Sequence, residues 1–285
     1  MAPKGLSVHI GLNAVDPAHY GGWSGSLSAC EADARDLQAL AVSMGYTPSL
    51  LLTKSATRGE VRRQISAAAA TLDAGDIFLL SYSGHGGQVP DTDDPEPNGM
   101  NETWCLFDGQ LLDDEAYRLF VQFHTGVRVV VLCDSCHSGT VTRARTFRGA
   151  PMQAIYEAFD AVPPGEPIRY RDMPPEIALR TYELNRAFYG ELQARTPSQQ
   201  VSLRELRATV RLLSSCQENQ LSAEGAFNGL FTANLKRVWN GGKWSGSYAA
   251  FHSAIADLMP PVQTPAHVVI GPHMPAFDAQ KPFRI

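Results

Sequence analysis

Short apolar runs alternate with longer helical stretches along the first half of this sequence. The runs that read as buried strands are Leu6 to Leu12, Leu50 to Leu52, Ile77 to Tyr82 and Val127 to Cys133. Continuous apolar runs of this kind are typical of strands that are covered on both faces. Strands that alternate with helices predict right-handed crossovers, and therefore an α/β fold with a mainly parallel central sheet and helices on both faces.

The predicted helices begin at recognisable polar signals. Ser28 and Glu31 have the spacing of a capping box for a helix that reaches about Met44, and Thr57 and Glu60 have the same spacing for a helix that reaches about Leu72. A further helix is expected to begin at Asp113.

The pattern changes after Gly139. Residues 140–175 are rich in Arg and Pro and have little periodicity, so we interpret them as a mobile connector. One helix over 175–194 is expected next, followed by a strand over 208–214, helices over 225–239 and 248–258, and a last strand over 267–270. We expect one domain, 1–285, made of a first segment (1–142), a connector with an insertion (143–200) and a second segment (201–285).

Two of the apolar runs end in loops that contain reactive side chains. The run from Ile77 leads to His85 within a Gly-rich loop, and the run from Val127 leads to Cys136. Parallel strands bind ligands at their carboxyl ends, so neighbouring strands would bring these two side chains to the same edge of the sheet. An imidazole beside a thiol predicts a Cys/His peptidase, in which the amides of Gly86 and Cys136 form an oxyanion hole.

Other interpretations of these residues remain open at this stage. A cysteine at a strand end is often simply a small hydrophobic residue, and His137 is a rival base. Cys133 and Cys136 have the Cys-x-x-Cys spacing of a redox pair. Cys216 is either a second reactive thiol or a buried structural residue.

The two loops resemble the catalytic signatures of bacterial-type metacaspases, in the caspase-like clan of cysteine peptidases. The similar stretches are Tyr82-Ser83-Gly84-His85-Gly86 and Asp134-Ser135-Cys136-His137-Ser138-Gly139, with further similarity around residues 28–33, 113–115 and 214–227. The histidine precedes the cysteine by about 50 residues, as in caspases, but the Gln-Ala-Cys signature of true caspases is absent. The resemblance implies the caspase–haemoglobinase fold and cleavage through a thioester acyl-enzyme.

The same resemblance implies a pocket for the residue that precedes the cleaved bond. Cys30, Asp33, Ser83 and Asp134 match the residues that line this pocket in metacaspases. Two carboxylates in one pocket repel each other unless a cation lies between them, and a guanidinium can bind both. The expected preference is therefore Arg or Lys, although Asp33 alone could be a solvated charge at a helix start.

Calcium is the one metal that the resemblance implies. Asp113 and Asp114 match two calcium-binding positions of the family, whereas Asn101 and Arg143 stand where the family has acidic residues. The acidic run Asp91 to Glu96 either compensates or is a solvated loop. Because calcium prefers several carboxylates, we expect calcium binding to be weak or dispensable, and no other cofactor to be required.

Arg143, Arg145 and Arg148 follow the catalytic loop closely. In an enzyme that cuts after Arg, an exposed connector with these residues is a candidate for self-processing or for cleavage by an upstream activating protease. A plain basic surface loop is the alternative.

Composition narrows the remaining classes. The 285 residues carry a net charge of −5, which argues against nucleic acid or an anionic membrane as the main partner. No apolar run approaches the roughly 20 residues that span a bilayer, the start has no signal-peptide pattern, and five cysteines without framework spacing suggest reduced thiols in the cytoplasm. The expected partners are protein or peptide substrates with Arg or Lys at the cleaved position. The alternatives are a non-catalytic scaffold and a peptidase with another preference, such as Asn.

Overall fold

The computed structural model describes residues 2–91, 99–136, 155, 168–196, 199–217, 220–225 and 227–285. In this part of the chain the main sheet has six strands in the order β2-β1-β3-β7-β8-β9. Their bounds are β1 Gly5–Gly11, β2 Thr47–Leu52, β3 Ile77–Ser83, β7 Arg128–Asp134, β8 Thr209–Ser214 and β9 Ala266–Ile270. The strands pair in parallel except for β9, which runs antiparallel to β8.

Helices cover both faces of this sheet. They are α1 Cys30–Ser43, α2 Arg58–Thr71, α3 Asp113–Phe120, α4 Pro175–Leu184, α5 Arg186–Arg195, α6 Gln199–Glu205, α7 Leu230–Trp239, α8 Tyr248–Ala256 and α9 Pro275–Ala279. Residues of α2 and α3 pack on one face in a cluster that includes Phe78 and Val131, and residues of α1, α7 and α8 pack on the other face around Leu79 and Val130. The alternation along β3 and β7 therefore supplies both halves of the core. The expected α/β architecture, a mainly parallel central sheet with helices on both faces, is confirmed.

A small second sheet lies between β3 and α3, and the sequence pattern did not predict it. Its antiparallel strands are β4 Gly86–Pro90, β5 Met100–Leu106 and β6 Gly109–Leu112. A strand that begins with two glycines, as β4 does, gives little local signal, because strands usually avoid glycine.

The start of α1 differs from the prediction. Helix α1 begins at Cys30 after Ala29, with no side-chain cap, so Ser28 and Glu31 do not form a capping box. The carboxylate of Glu224, from the second segment, instead accepts hydrogen bonds from the amides of Ser28 and Ala29, at 2.9 and 3.0 Å. The expected capping residue Thr57 does accept from the Glu60 amide at α2.

The single helix expected over 175–194 is two helices, α4 and α5, which meet at Asn185. The helix expected from 225 begins only at Leu230, and Ala223, Glu224 and Gly229 before it form isolated bridges. Within the described ranges, the helices are all too short or too polar to cross a bilayer.

Candidate active site

The two reactive loops leave neighbouring strands at the same level. Strands β3 and β7 pair in parallel, with Ser83 opposite Asp134 as the last residue of each strand. His85 and Cys136 each follow two residues later. The expectation that these strands are neighbours is confirmed, and both side chains come from the same edge of the sheet.

The ring of His85 is held by a backbone carbonyl. Nε2 lies 3.1 Å from the oxygen of Gly25, and because a carbonyl only accepts hydrogen bonds, this nitrogen carries the proton. Nδ1 therefore has the lone pair, and it has no hydrogen-bond partner among the described residues. The ring packs against Trp23 with 4.7 Å between centroids. Burial lowers the pKa of His85 to about 4, so the imidazole is neutral.

The thiol of Cys136 is buried and points towards the second segment. Its Sγ accepts a hydrogen bond from the amide of Ser222 at 2.9 Å and lies 3.6 Å from the Ser222 oxygen. Burial, reinforced by the neighbouring Cys216, raises the pKa of this thiol well above its usual range. In the described part of the chain the thiol makes no hydrogen bond to His85, so the pair is in a resting arrangement.

Two backbone amides converge on one carbonyl oxygen beside this thiol. The amides of Gly86 and Cys136 donate to the oxygen of Arg171, at 2.9 and 3.2 Å. A Cβ on Gly86 would overlap the Cys136 carbonyl, so the loops approach this closely only because residue 86 has no side chain. This pair has the geometry of an oxyanion hole.

The guanidinium of Arg171 fills a pocket beneath the two loops. Its Nη2 lies 2.7 Å from Oδ2 of Asp33, and its Nη1 lies 3.1 Å from Oδ2 of Asp134 and 2.8 Å from Oγ of Ser83. Arg171 and Asp33 are fully buried. Burial alone lowers the pKa of Arg171, but the charges of Asp134 and Asp33 outweigh burial and hold that pKa above its ordinary value.

The carboxylates of the pocket are fixed from α7 and from the residues before it. Asp33 accepts from the amide of Gly229 at 3.0 Å, and Asp134 accepts from the hydroxyl of Thr232 at 2.8 Å and from that of Ser222 at 2.9 Å. A Cβ on Gly229 would lie 2.5 Å from Nη1 of Arg171 and closer still to Asp134. The absent side chain at residue 229 therefore makes room for the guanidinium.

The main chain around Arg171 pairs with the second segment as an added strand would. The amide of Arg171 donates to the oxygen of Ser222 at 2.9 Å, and the amide of Glu224 donates to the oxygen of Arg169 at 2.8 Å. Tyr170 and Ala223 form an antiparallel bridge. Residues 169–171 thus lie along residues 222–224 with regular β pairing.

The structure brings together most of the residues that the sequence analysis selected. His85, Gly86, Cys136, Asp33, Ser83 and Asp134 lie around Arg171, and Cys30 is the buried first residue of α1. Burial raises the pKa of the Cys30 thiol to about 12, so it lines the site as a neutral group. The sequence analysis missed Arg171, Ser222 and Gly229, because their roles depend on contacts between segments far apart in the chain.

The remaining site predictions fall elsewhere. His137 and the three processing candidates Arg143, Arg145 and Arg148 lie outside the described residues. Cys133 and Cys136 are free thiols, and Cys216 is buried, as the structural interpretation expects.

Asp113 and Asp114 open α3, and Asn101 is buried in β5. The described ranges contain no cluster of three or more His, Cys, Asp or Glu side chains placed to hold a metal ion. Two carboxylates and an amide fall short of the oxygen shell that calcium takes. These residues alone do not fit a calcium site, and calcium dependence stays a prediction.

Comparison with known proteins gives consistent matches. The family model for the caspase domain (Peptidase_C14) matches residues 14–283. Metacaspase-1 of Mycosarcoma maydis is 34% identical over 154 residues, which are 49% of this chain and 37% of that protein. Metacaspase-1A of Aspergillus clavatus is 32% identical over 152 residues, which are 48% of this chain and 34% of that protein. The matched stretch thus spans little more than a third of these curated relatives.

Solved structures extend the similarity over nearly the whole chain. The crystal structure of protein GSU0716 from Geobacter sulfurreducens superposes with a TM-score of 0.87 at 52% identity, covering 99% of this chain and 98% of that one. Caspase-1 from Spodoptera frugiperda superposes with a TM-score of 0.51 at 10% identity over 94% of this chain and 86% of its own, which supports the fold alone. The chain belongs to the caspase domain family and, within it, is similar to the metacaspases.

Proposed function

We propose that this chain is a cysteine endopeptidase that cleaves protein substrates after Arg, and less well after Lys. The observation that supports the proposal is the buried guanidinium of Arg171, bound by Asp33 and Asp134 while its own carbonyl accepts from two amides. A substrate arginine bound in the same way would present its carbonyl carbon beside Cys136. These contacts support a cation pocket and an oxyanion hole that bind the side chain and the carbonyl oxygen of the same residue.

The expected reaction uses the two groups at the strand ends. The thiol of Cys136 gives its proton to Nδ1 of His85 and attacks the carbonyl carbon of the bound arginine. The oxygen gains negative charge and is stabilised by the amides of Gly86 and Cys136, at about 3 kcal/mol for each well-placed donor. His85 then protonates the leaving amine, a thioester remains on Cys136, and water hydrolyses it to the new carboxylate.

A rotation of the Cys136 side chain must precede this attack. In the structure, Sγ of Cys136 accepts a hydrogen bond from the amide of Ser222. Nδ1 of His85 has no hydrogen-bond partner among the described residues. Turning the thiol towards the histidine would break its contact with the Ser222 amide and give Nδ1 a donor.

The preference for Arg over Lys follows from the shape of the pocket. Asp33 and Asp134 bind different nitrogens of the guanidinium, Nη2 and Nη1. A planar fork can serve both carboxylates at once, whereas the ammonium of Lys is a single point charge. Asp or Asn in this pocket would leave two buried carboxylates without a cation.

A panel of fluorogenic peptides with Arg, Lys, Asp or Asn before the cleaved bond tests the proposal. We expect turnover in the order Arg, then Lys, with none for Asp or Asn, and loss of turnover in Cys136→Ala. An Arg chloromethylketone should label Cys136. The panel is run with calcium and with chelator, and we expect similar rates in both.

Three outcomes would contradict parts of this proposal. Turnover of the Asp or Asn peptide alone would refute the assignment of the pocket. No turnover of any peptide and no labelling of Cys136 would indicate a non-catalytic scaffold. Complete loss of activity in chelator would overturn only the expectation for calcium.

A further inference from the structure

We propose that Cys136 and Cys216 are a redox pair. A peroxide oxidises the thiol of Cys136, and Cys216 then closes a disulfide that removes the candidate nucleophile until a reducing dithiol restores it. The disulfide itself does not depend on the proposed function, whereas its effect on catalysis rests on that function. The Cys-x-x-Cys spacing indicates Cys133 as the partner, so the structure assigns a different one.

The backbone brings the two cysteines side by side. Strands β7 and β8 are parallel neighbours, and their register, continued past the strand ends, sets Cys216 opposite Ser135. The hydroxyl of Ser215 donates to the oxygen of Ser135 at 3.0 Å, so the two chains remain adjacent there. Cys136 is one residue further on. A strand spacing of about 4.8 Å and a rise of about 3.3 Å put the two Cα atoms roughly 6 Å apart, a separation that a disulfide can bridge.

The two sulfur atoms share the same surroundings. Sγ of Cys216 lies 3.7 Å from the oxygen of Ser135, the carbonyl that precedes the Cys136 amide, and 3.5 Å from the oxygen of Gln220. Sγ of Cys136 accepts from the amide of Ser222, two residues beyond Gln220. The two thiols are themselves in hydrogen-bonding contact. The atoms that would form the disulfide are therefore already neighbours in the folded chain.

The first chemical step oxidises Cys136 alone. Its thiol gives its proton to Nδ1 of His85, and the resulting thiolate attacks one oxygen of hydrogen peroxide. A sulfur–oxygen bond forms, the oxygen–oxygen bond breaks, and the hydroxide that leaves takes the proton from His85 and becomes water. The product is a sulfenic acid, and two electrons have passed from the sulfur to the peroxide.

The second step joins the two residues and needs no further oxidant. The sulfur of Cys216 attacks the sulfur of Cys136, the sulfur–oxygen bond breaks, and the departing hydroxyl takes the proton of the Cys216 thiol and leaves as water. A dithiol reverses the reaction by two thiol–disulfide exchanges. Both cysteines return to thiols, and the dithiol becomes a disulfide.

Burial assigns different roles to the two thiols. Cys136 and Cys216 are 0% and 1% exposed. Burial, and next the contact with Cys216, raise the pKa of the Cys136 thiol, so peroxide reacts slowly in the resting arrangement. The reactive form is the thiolate beside His85, which the substrate also needs to reach. Cys216 needs no access of its own, because its partner lies beside it.

The pair also explains what a purely structural cysteine would not provide. A sulfenic acid without a nearby thiol advances to sulfinic acid, which a dithiol does not reduce. Cys216 intercepts the sulfenic acid of Cys136 at the reversible stage. Removal of Cys216 should therefore change the reversibility of oxidation, whereas loss of a packing contact alone would not.

Peroxide treatment of the reduced full chain tests the inference. After removal of the peroxide, alkylation and digestion, we expect a peptide pair linked between Cys136 and Cys216, and loss of two of the five free thiols. The intact mass should fall by about 2 Da, for two hydrogens. Turnover of an Arg peptide should fall at least about 10-fold and return with dithiothreitol to within about 2-fold of its initial rate.

Cys216→Ala should form no such link. Its Cys136 should gain about 32 Da as sulfinic acid, and dithiothreitol should not restore turnover. Cys216→Ser serves the same purpose if the alanine variant does not fold. Cys133→Ala is the matched control, because it removes the cysteine of the Cys-x-x-Cys spacing. It should behave as the wild type does.

Three results would overturn the inference. They are a wild type that loses turnover without a Cys136–Cys216 link, a link between Cys133 and Cys136 in its place, and a Cys216→Ala variant that recovers as fully as the wild type. A reduced wild type that turns over no peptide would instead refute the proposed function, and the mapped link would still decide whether the pair forms.

Discussion

At the scale of single residues, the site is dominated by a charged group in a fully buried place. Desolvating a guanidinium and two carboxylates costs several kcal/mol for each ion, and good geometry must offset that cost. The contacts of Arg171 with Asp33, Asp134 and Ser83 offset this desolvation cost. When Arg171 leaves, the two carboxylates repel each other until another cation enters. In the proposed function, the pocket selects a cationic side chain because an empty or uncharged pocket would leave the two carboxylates without a partner.

We predict that Asp33→Asn lowers kcat/KM for an Arg peptide by about 100-fold, because removal of one partner of a buried charge pair costs about 2–5 kcal/mol. The steady-state rates of cleavage measure this effect. The matched control is Asp257→Asn, since Asp257 is exposed and lies at the end of α8. Equal losses in the two variants would contradict a specific role for Asp33.

At the scale of elements, the pocket is assembled where α1 and α7 begin. Helix α1 supplies Asp33 in its first turn, and Glu224 from the second segment accepts from the amides of Ser28 and Ala29 just before the helix. Gly229, just before α7, donates to Asp33. The two helix starts are tied together across the sheet edge, so the pocket forms only when both segments have folded.

We predict that Gly229→Ala lowers kcat/KM for Arg peptides by about 10- to 100-fold, because the added methyl group occupies space that the guanidinium needs and overpacking typically costs about 1–3 kcal/mol. Gly190→Ala in α5 is the control, since a Cβ there meets nothing within 4 Å. Unchanged Arg-peptide rates in Gly229→Ala would show that the pocket adapts.

The central elements were predictable because their signals are local. Apolar runs such as the one from Ile77 to Tyr82 define strands of the core, and the polar residues that follow them mark the loops with His85 and Cys136. The contact of Glu224 with the two amides just before α1 was not predictable, because Glu224 lies far along the chain. The sequence analysis also missed Arg171. It follows a Pro-rich stretch without a periodic signal, and its ion pairs are with Asp33 and Asp134, which lie far from it in the chain.

At the scale of the whole molecule, two buried histidines couple stability to pH. Burial lowers the pKa of His9 to about 3 and that of His85 to about 4. His9 lies in β1, with its ring nitrogens near the hydroxyls of Ser81 and Ser7. Below the unfolded pKa of about 6.5 the unfolded chain binds protons that the folded chain does not, so stability falls as pH falls towards these lowered values.

We predict that the wild type loses about 2 kcal/mol of unfolding free energy between pH 7 and pH 5 for each of these buried rings. Urea unfolding at the two pH values measures the loss. His9→Gln should reduce the loss by about 2 kcal/mol, whereas His273→Gln should not, because the side chain of His273 is exposed to water. An identical pH dependence in wild type and His9→Gln would refute this account.

The order of strands in the main sheet has one more consequence, for how the molecule comes apart. Strands β3 and β7 are the two innermost strands, and β2 and β9 form the edges. Val268 and Val269 of β9 are partly exposed, so fraying should start at such an edge, and amide hydrogens there should exchange first. His85 and Cys136 directly follow β3 and β7, the two strands whose amides we expect to exchange most slowly. A molecule in which the edge strands β2 and β9 have opened would therefore still hold His85 and Cys136 on neighbouring, paired strands.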